Sequence, residues 1–455
     1  MSAFYELVFD VPLDRPFTYL GDEKGQTEVG KRVMASFGRR EVLGFVIGER
    51  DSPPEGVKLE SIKSIRRVVD AQPIFGKDEI NLARWMADYY LCAWGEALAA
   101  MLPSGRREIA PPSFLDEELA AADKALPLSA EQEEALETIL REPDTSQAQV
   151  ATTARATASM YYLYGITGSG KTEVFLRAAE QMLERGKSII YLVPEISLTH
   201  QVIEAVSSRF GTSAATLHSL MTASERLAEW VRIRSGAARV VVGPRSAVFA
   251  PVQDLGLIIL DEEHDGSYKS GNAPRYHARQ VALKRCTASG AQLVMGSATP
   301  SAETWKLMAE GRIKRLDLTQ RLSGGAPPEI KAVNLEGSDG CLTQELKEEI
   351  RATARAGRQT ILFLNRRGFA YFYRCKACGF ELKCRHCSVS LTYHKSKGRA
   401  LCHYCGYSAS PPRSCPQCGS LEAGFAGFGT EMIENPTDLP DSARRQMLGH
   451  ARREP

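Results

Sequence analysis

Long apolar runs are missing from this 455-residue chain, and stretches such as LIIL are far too short to cross a bilayer. The amino-terminal MSAFYELVFDVPLDRPF is interrupted by Glu6 and Asp10 and lacks the apolar core of a secretory signal, so a cytoplasmic protein with no membrane partner is expected. Net charge is nearly absent as well: 57 Lys and Arg against 55 Asp and Glu leave +2, so any contact with nucleic acid must come from a local patch. There is no internal repeat and no low-complexity tract. Cysteine is scarce outside one block; Cys92, Cys286 and Cys341 are scattered and read as small buried residues. What is present, 43% hydrophobic and 25% charged residues, is the balance of a soluble globular chain of roughly three domains.

Residues 1–105 alternate short apolar runs (YELVFDV, KRVMASF, EVLGFVIGE) with turn signals such as GDEKG and DSPPEG, which predicts a small, mostly β domain closed by one helical segment, NLARWMADYYLCAWGEALAAML. Residues 106–128 are charged and alanine-rich, a linker with one helix. From 129 onward, strands and helices alternate. The runs SIIYLVP, ARVVVGP, LGLIILDEE and AQLVMGS read as fully buried parallel strands of an α/β sheet.

The loop GITGSGKT, residues 165–172, follows the strand YYLY and opens a helix, the context that a phosphate-binding loop requires. Gly165, Gly168 and Gly170 let the backbone curl across Ile166, Thr167 and Ser169 so that successive N–H groups face phosphates, and the helix adds its positive end. Lys171 then meets the β and γ phosphates of ATP, and the Thr172 hydroxyl meets Mg2+. In LGLIILDEEHD, four apolar residues deliver Asp261 and Glu262 to the carboxyl end of a strand, where open α/β sheets bind ligands. An acidic helix start looks similar; beside a phosphate loop, Asp261 reads as the magnesium acid and Glu262 as the base that polarises water.

Taken in order, GITGSGKTE, VPEISLTHQ, VGPRSAVFAP, DEEHDGSYK, RYHAR and MGSATPS resemble the successive motifs of the superfamily 2 DNA helicases. With FLNRRGFA and the cysteine block they resemble, within that group, the PriA family of replication-restart helicases. The resemblance implies a RecA-like P-loop lobe at 129–322, the start of a second lobe at 323–372, a double-zinc module at 373–420 and a lobe remnant with a tail at 421–455. It implies an ATP-dependent 3′-to-5′ helicase that recognises forked and single-stranded DNA, works with single-stranded DNA-binding protein and other primosome components, and helps reload the replicative helicase. It assigns residues 1–105 to a domain that receives the 3′ end of a DNA strand, with Phe17 stacking on the terminal base, Gly38 allowing close approach, Lys63 meeting phosphate and Thr18 near the terminal hydroxyl. By the same likeness Ser297 and Thr299 couple nucleotide state to DNA grip, while Pro194, Glu195, Thr199 and Arg245 lie along the single strand. Tyr268, Tyr276 and His277 belong to an aromatic loop whose rings stack on bases.

Eight of the eleven cysteines form four C-x-x-C pairs: Cys375 and Cys378, Cys384 and Cys387, Cys402 and Cys405, Cys415 and Cys418. Eight thiolates at this spacing make two closed, structural Zn2+ sites, the middle four on one ion and the outer four on the other. The family likeness stops near Glu431, and no Q-x-x-G-R-x-G-R element follows. A chain interrupted within the second lobe is therefore expected, with weak nucleotide binding and poor hydrolysis. Two alternatives stand beside the motor: a non-motor protein that marks forks or recruits partners, and an inert remnant.

Overall fold

The computed structural model describes residues 3–105, 127–141, 159–194, 200–218, 221–322, 329–333, 342–362, 372–375, 377–386, 389–394, 398–402, 405–421 and 423–426. Residues 106–126 of the linker, Glu195, Thr199, Cys341, the FLNRRGFA motif, Cys387 and the last stretch lie outside them. The chain divides into two units, Met1–Ala326 and Pro327–Pro455.

The first unit opens with β1 (Phe4–Phe9), β2 (Phe17–Leu20), β3 (Arg32–Phe37), β4 (Arg40–Arg50) and β5 (Ile65–Val68), an antiparallel sheet in the order β2-β1-β4-β3-β5. Two helices follow, α1 (Lys77–Tyr90) and α2 (Trp94–Met101), where the sequence reads as one. Leu91 takes φ 53°, in the left-handed region that a leucine rarely adopts, and the Ala93 N–H donates to Glu96 Oε2 at 2.8 Å, starting a new helix.

The α/β part contains α3 (Ala130–Leu140), β6 (Met160–Gly165), α4 (Lys171–Glu184), β7 (Ser188–Leu192), α5 (His200–Phe210), β8 (Ala214–Thr216), α6 (Ala223–Arg234), β9 (Val240–Gly243), β10 (Leu255–Asp261), α7 (Ala278–Ser289), β11 (Gln292–Ser297), α8 (Ala302–Ala309) and β12 (Lys314–Leu318). Its seven strands run parallel in the order β12-β6-β11-β10-β7-β9-β8. The apolar runs became strands because both faces are covered: α3 and α4 pack on one side, α7 and α8 on the other.

That second face is also where the amino-terminal sheet and its helices are attached. Phe45, Ile74, Phe75, Met86 and Leu98 share one core with Trp230, Phe249 and Tyr276. The Trp230 Nε1–H donates to the Ile74 carbonyl at 2.6 Å. Within the β sheet, Arg32 is buried against Asp70, its Nη2 2.6 Å from Oδ1, and it also donates to the carbonyls of Pro103 and Gly105. The pair fixes the place where the chain leaves this sheet, and taking one partner from such a pair costs about 3–5 kcal/mol.

The second unit, described by itself, has α9 (Gln344–Arg355), a ribbon of β13 (Phe372–Cys375) with β17 (Ala423–Ala426), and a small sheet of β14 (Thr392–His394), β15 (Arg399–Leu401) and β16 (Ser408–Ala409).

Candidate nucleotide, DNA and metal sites

The phosphate loop connects β6 to α4, and Gly170 at its end has φ 77°, a conformation open to glycine and strained for other residues. The loop's carbonyls point at two side chains. Lys171 Nζ donates to Gly165 O at 2.9 Å and Ile166 O at 3.4 Å, and Gln132 Nε2 donates to Ser169 O at 3.1 Å and Gly170 O at 3.3 Å. A trans peptide carries its N–H opposite its C=O, so the amides of Ile166, Thr167, Gly170 and Lys171 point away from these donors. Such a row of N–H groups before a helix is suited to an anion. Gln132 was not singled out from sequence, although the capping pattern S-A-E-Q, in which the Ser129 N–H donates to Gln132 Oε1 at 2.8 Å, was there to be read.

Strand β10 ends on the acids. Burial raises the Asp261 carboxyl to about 6, against the pull of the Tyr191 hydroxyl, which donates to Oδ2 at 3.0 Å, and of the Lys171 charge. Tyr191 lies inside an apolar strand and carries no signal in sequence. Glu262 follows at φ 44°, and its Oε2 accepts from Ser297 Oγ at 2.9 Å. His264 Nδ1 lies 2.7 Å from Ser297 Oγ, and the Thr299 N–H donates to the same oxygen at 3.0 Å. Lys171, Asp261, Glu262 and Ser297 therefore meet at the carboxyl ends of β6, β10 and β11, with Thr172 and Thr299 at the rim.

Arg245, Tyr268 and Tyr276 also come together, but as packing. Arg245 Nη1 donates to Ser267 O and Lys269 O, both at 2.7 Å, and its guanidinium lies 5.7 Å over the Tyr276 ring. Tyr268 is 0% and Tyr276 5% exposed, so the expected stacking of these rings on bases has no free face in this conformation. The reason is the phenol of Tyr268, which is shared between Asp261 O at 2.6 Å and Leu192 O at 3.0 Å, while Tyr276 packs on Phe249. The loop is thereby tied directly to the acidic strand.

His277 caps α7, its Nδ1 accepting the Arg279 N–H at 3.2 Å. Burial first, then the charges of Arg279 and Lys269, push its imidazole down from 6.5 to about 4. Between those values the unfolded chain holds a proton that the folded chain refuses, so stability falls as pH drops from 6.5 toward 4. His277→Asn keeps a capping acceptor that does not titrate. Denaturant titrations at about pH 7.5 and about pH 5 are expected to show the parent losing roughly 1–2 kcal/mol more than the variant on acidification. Equal losses would contradict this account.

In the amino-terminal domain, Gly38 and Lys63 line a cleft of about 1210 Å³ together with Arg39, Arg40, Arg66 and Arg67 and the acids Asp22, Glu23 and Glu41. Lys63 Nζ donates to Gly38 O at 3.1 Å. Phe17 does not line the cleft. It is half-buried against Phe9 and Phe37, with Arg15 over its ring at 5.0 Å.

In the second unit the Sγ atoms of Cys375, Cys378, Cys415 and Cys418 lie within 4.8 Å of one another, as do those of Cys384, Cys402 and Cys405. The nested grouping expected from sequence is thus present for the outer four and for three of the inner four; Cys387 is outside the described residues. Separations of 3.6 Å (Cys375 to Cys418) and 3.5 Å (Cys384 to Cys405) exclude disulfides. They match the roughly 3.8 Å between ligands that about 2.3 Å zinc–sulfur bonds set in a tetrahedron. The cysteine turns repeat, the amides of Gly379, Gly406 and Gly419 each donating at 2.9 Å to the carbonyl of the cysteine four residues before.

Three family profiles match the chain: the 3′DNA-binding domain (3′BD) of PriA over residues 6–103, the DEAD/DEAH box helicase domain over 129–307, and the PriA DNA helicase Cys-rich region (CRR) domain over 384–409. Replication restart protein PriA of Treponema pallidum is 50% identical over 438 residues, covering 95% of this chain and 65% of that protein. The Bacillus subtilis protein of the same name is 41% identical over 325 residues, 70% of this chain and 39% of that one. The Haemophilus influenzae protein is 31% identical over 490 residues, 93% and 67%. The chain therefore spans about two thirds or less of the length of these relatives. With profile matches to a 3′DNA-binding domain, a helicase domain and a cysteine-rich region, and with relatives of this identity and coverage, the chain belongs to the PriA family of replication restart proteins.

Proposed function

We propose that this chain serves as the ATP-driven 3′-to-5′ DNA motor portion of a cytoplasmic replication-restart helicase, binding forked and single-stranded DNA and acting with single-stranded DNA-binding protein and other primosome components to reload the replicative helicase. The observation that carries the reading is the convergence of Lys171, Asp261 and Glu262 at the carboxyl ends of parallel strands, beside a loop whose amides face outward. Lys171 and the loop amides hold the β and γ phosphates. Thr172 and Asp261 would hold Mg2+, which when bound neutralises charge on the phosphate oxygens. Glu262, held by Ser297, orients and polarises the attacking water. Gly38 and Lys63 supply the cleft for a DNA 3′ end, and Phe17, packed on Phe37 outside that cleft, stacks on the terminal base only if the 3′ end reaches beyond it. Arg245 sets the loop that carries Tyr268 and Tyr276, and exposure of those rings on DNA binding would relax the tie from Tyr268 to the Asp261 carbonyl. Two zinc ions on the eight cysteines would be structural, since no ligand position remains open for water.

The test is ATP hydrolysis by the full chain with and without forked DNA carrying a free 3′ end. Slow basal turnover that rises on addition of DNA is expected. Fork binding without DNA-dependent hydrolysis would replace the motor with a fork-marking protein.

A further inference from the structure

Between the acids assigned to magnesium and water and the histidine that follows them stands Glu263, which points the other way. The residue is 2% exposed, and donors from three elements, β6, α7 and the start of α8, converge on its carboxylate. Oε1 accepts from Arg279 Nη1 at 2.5 Å, Thr304 Oγ1 at 2.7 Å and Ser301 Oγ at 2.8 Å; Oε2 accepts from the Ser301 N–H at 3.2 Å and the Tyr162 hydroxyl at 3.4 Å. Burial alone would raise this carboxyl, and the donors outweigh it, holding it below its ordinary range. The backbone is anchored too, the Glu263 N–H donating to Gly296 O at 3.1 Å.

The consequence falls on the preceding residue. Asp261 is fixed as the last residue of β10, paired with Gly296 of β11. Glu263 is fixed by its carboxylate and its amide. Glu262 must bridge the two in a single step, and it does so at φ 44°, a conformation that a glutamate keeps only when its surroundings over-determine it. From that backbone its carboxylate reaches Ser297 Oγ at 2.9 Å.

We propose that Glu263, clamped by Arg279, Ser301 and Thr304, is a positioning residue that forces the Glu262 backbone into its left-handed turn and so aims the Glu262 carboxylate. The role rests on the hydrolytic reading of the site for its effect on turnover, but not for its effect on geometry. Arg279 and Thr304 belong to α7 and α8, so a movement of either helix is passed to Glu262 without contact with nucleotide.

The experiment uses the full chain with Glu263→Gln, which keeps the volume but replaces an acceptor with a donor among donors. Expected is a fall in kcat for DNA-stimulated ATP hydrolysis of about 10- to 100-fold, as displacement of a reacting group by roughly an ångström produces, with KM and the affinity for a fluorescent ATP analogue within about two-fold of the parent. A crystal structure of the variant is expected to show Glu262 outside the left-handed region and its bond to Ser297 lost. An unchanged kcat, or equal losses of kcat and nucleotide affinity together with a lowered unfolding midpoint, would overturn the proposal in favour of a purely structural carboxylate. If Glu263→Gln does not fold, Thr304→Val removes one donor at constant volume and is expected to lower kcat about 3- to 10-fold; parental turnover there overturns the idea. If the parent chain itself hydrolyses no ATP, the hydrolytic reading fails separately, and retention of the Glu262 turn and the Ser297 bond in the crystallised variant decides against the positioning role.

Discussion

Replacing Lys171 with alanine is expected to lower DNA-stimulated ATP hydrolysis by about 100- to 1000-fold, the scale on which removing one preorganised donor to developing charge acts. Lys171 is the only basic side chain bonded to the phosphate loop among the described residues; the residue is buried, and its Nζ is held between Gly165 O and Ile166 O. Alanine removes the charge that the proposed function assigns to the phosphates. It also leaves those two carbonyls without their donor, at about 1–3 kcal/mol for each that stays buried. Both consequences act on the same loop, so nucleotide affinity falls together with turnover. The cleft at Gly38 and Lys63, proposed to receive the DNA end, is on a different sheet, so fork binding is expected to stay within about two-fold. Hydrolysis assayed with and without DNA, alongside a DNA-binding titration, reads both. Equal rates for parent and variant would remove the phosphate loop from the mechanism.

Much of this site was legible in sequence because its parts are local. A glycine loop between a strand and a helix, two acids after LIIL, and cysteines spaced by two are patterns whose chemistry follows from neighbours in the chain. The buried parallel strands were legible for the same reason, since a strand covered on both faces reads as an unbroken apolar run. What escaped is three-dimensional. Tyr191 looks like one more residue of SIIYL, and only the adjacency of β7 and β10 brings its hydroxyl to Asp261. The break between α1 and α2 has no glycine to announce it, because Leu91 takes the left-handed turn. The burial of Tyr268 and Tyr276 was invisible because tyrosine serves surfaces and cores alike. Nor does sequence announce that Ile74 and Trp230, 156 residues apart, are hydrogen-bonded inside one shared core.

Stripping zinc has a different target and a larger expected effect. Structural Zn2+ contributes about 10–16 kcal/mol in small cysteine modules. Among the described residues, the cluster that could compensate in the cysteine-rich region is slight, its buried members being Cys384, Leu391, Ala400 and Cys402, two of which are themselves candidate ligands. Neither β14–β16 nor the β13–β17 ribbon can hold on such a core alone, since domains this small need staples. Dialysis against a strong chelator under reducing conditions is therefore expected to release two zinc ions per chain and abolish amide protection in strands β13–β17, as hydrogen exchange would show. All four tryptophans, Trp85, Trp94, Trp230 and Trp305, belong to the first unit, so tryptophan fluorescence is expected to remain native while the second unit unfolds. Cys375→Ser should release the outer ion and leave the inner one, because the two sulfur groups share no ligand. Full amide protection after complete metal removal would mean that the hairpins are held by packing, and the closed thiolate sites would then be incidental to the fold.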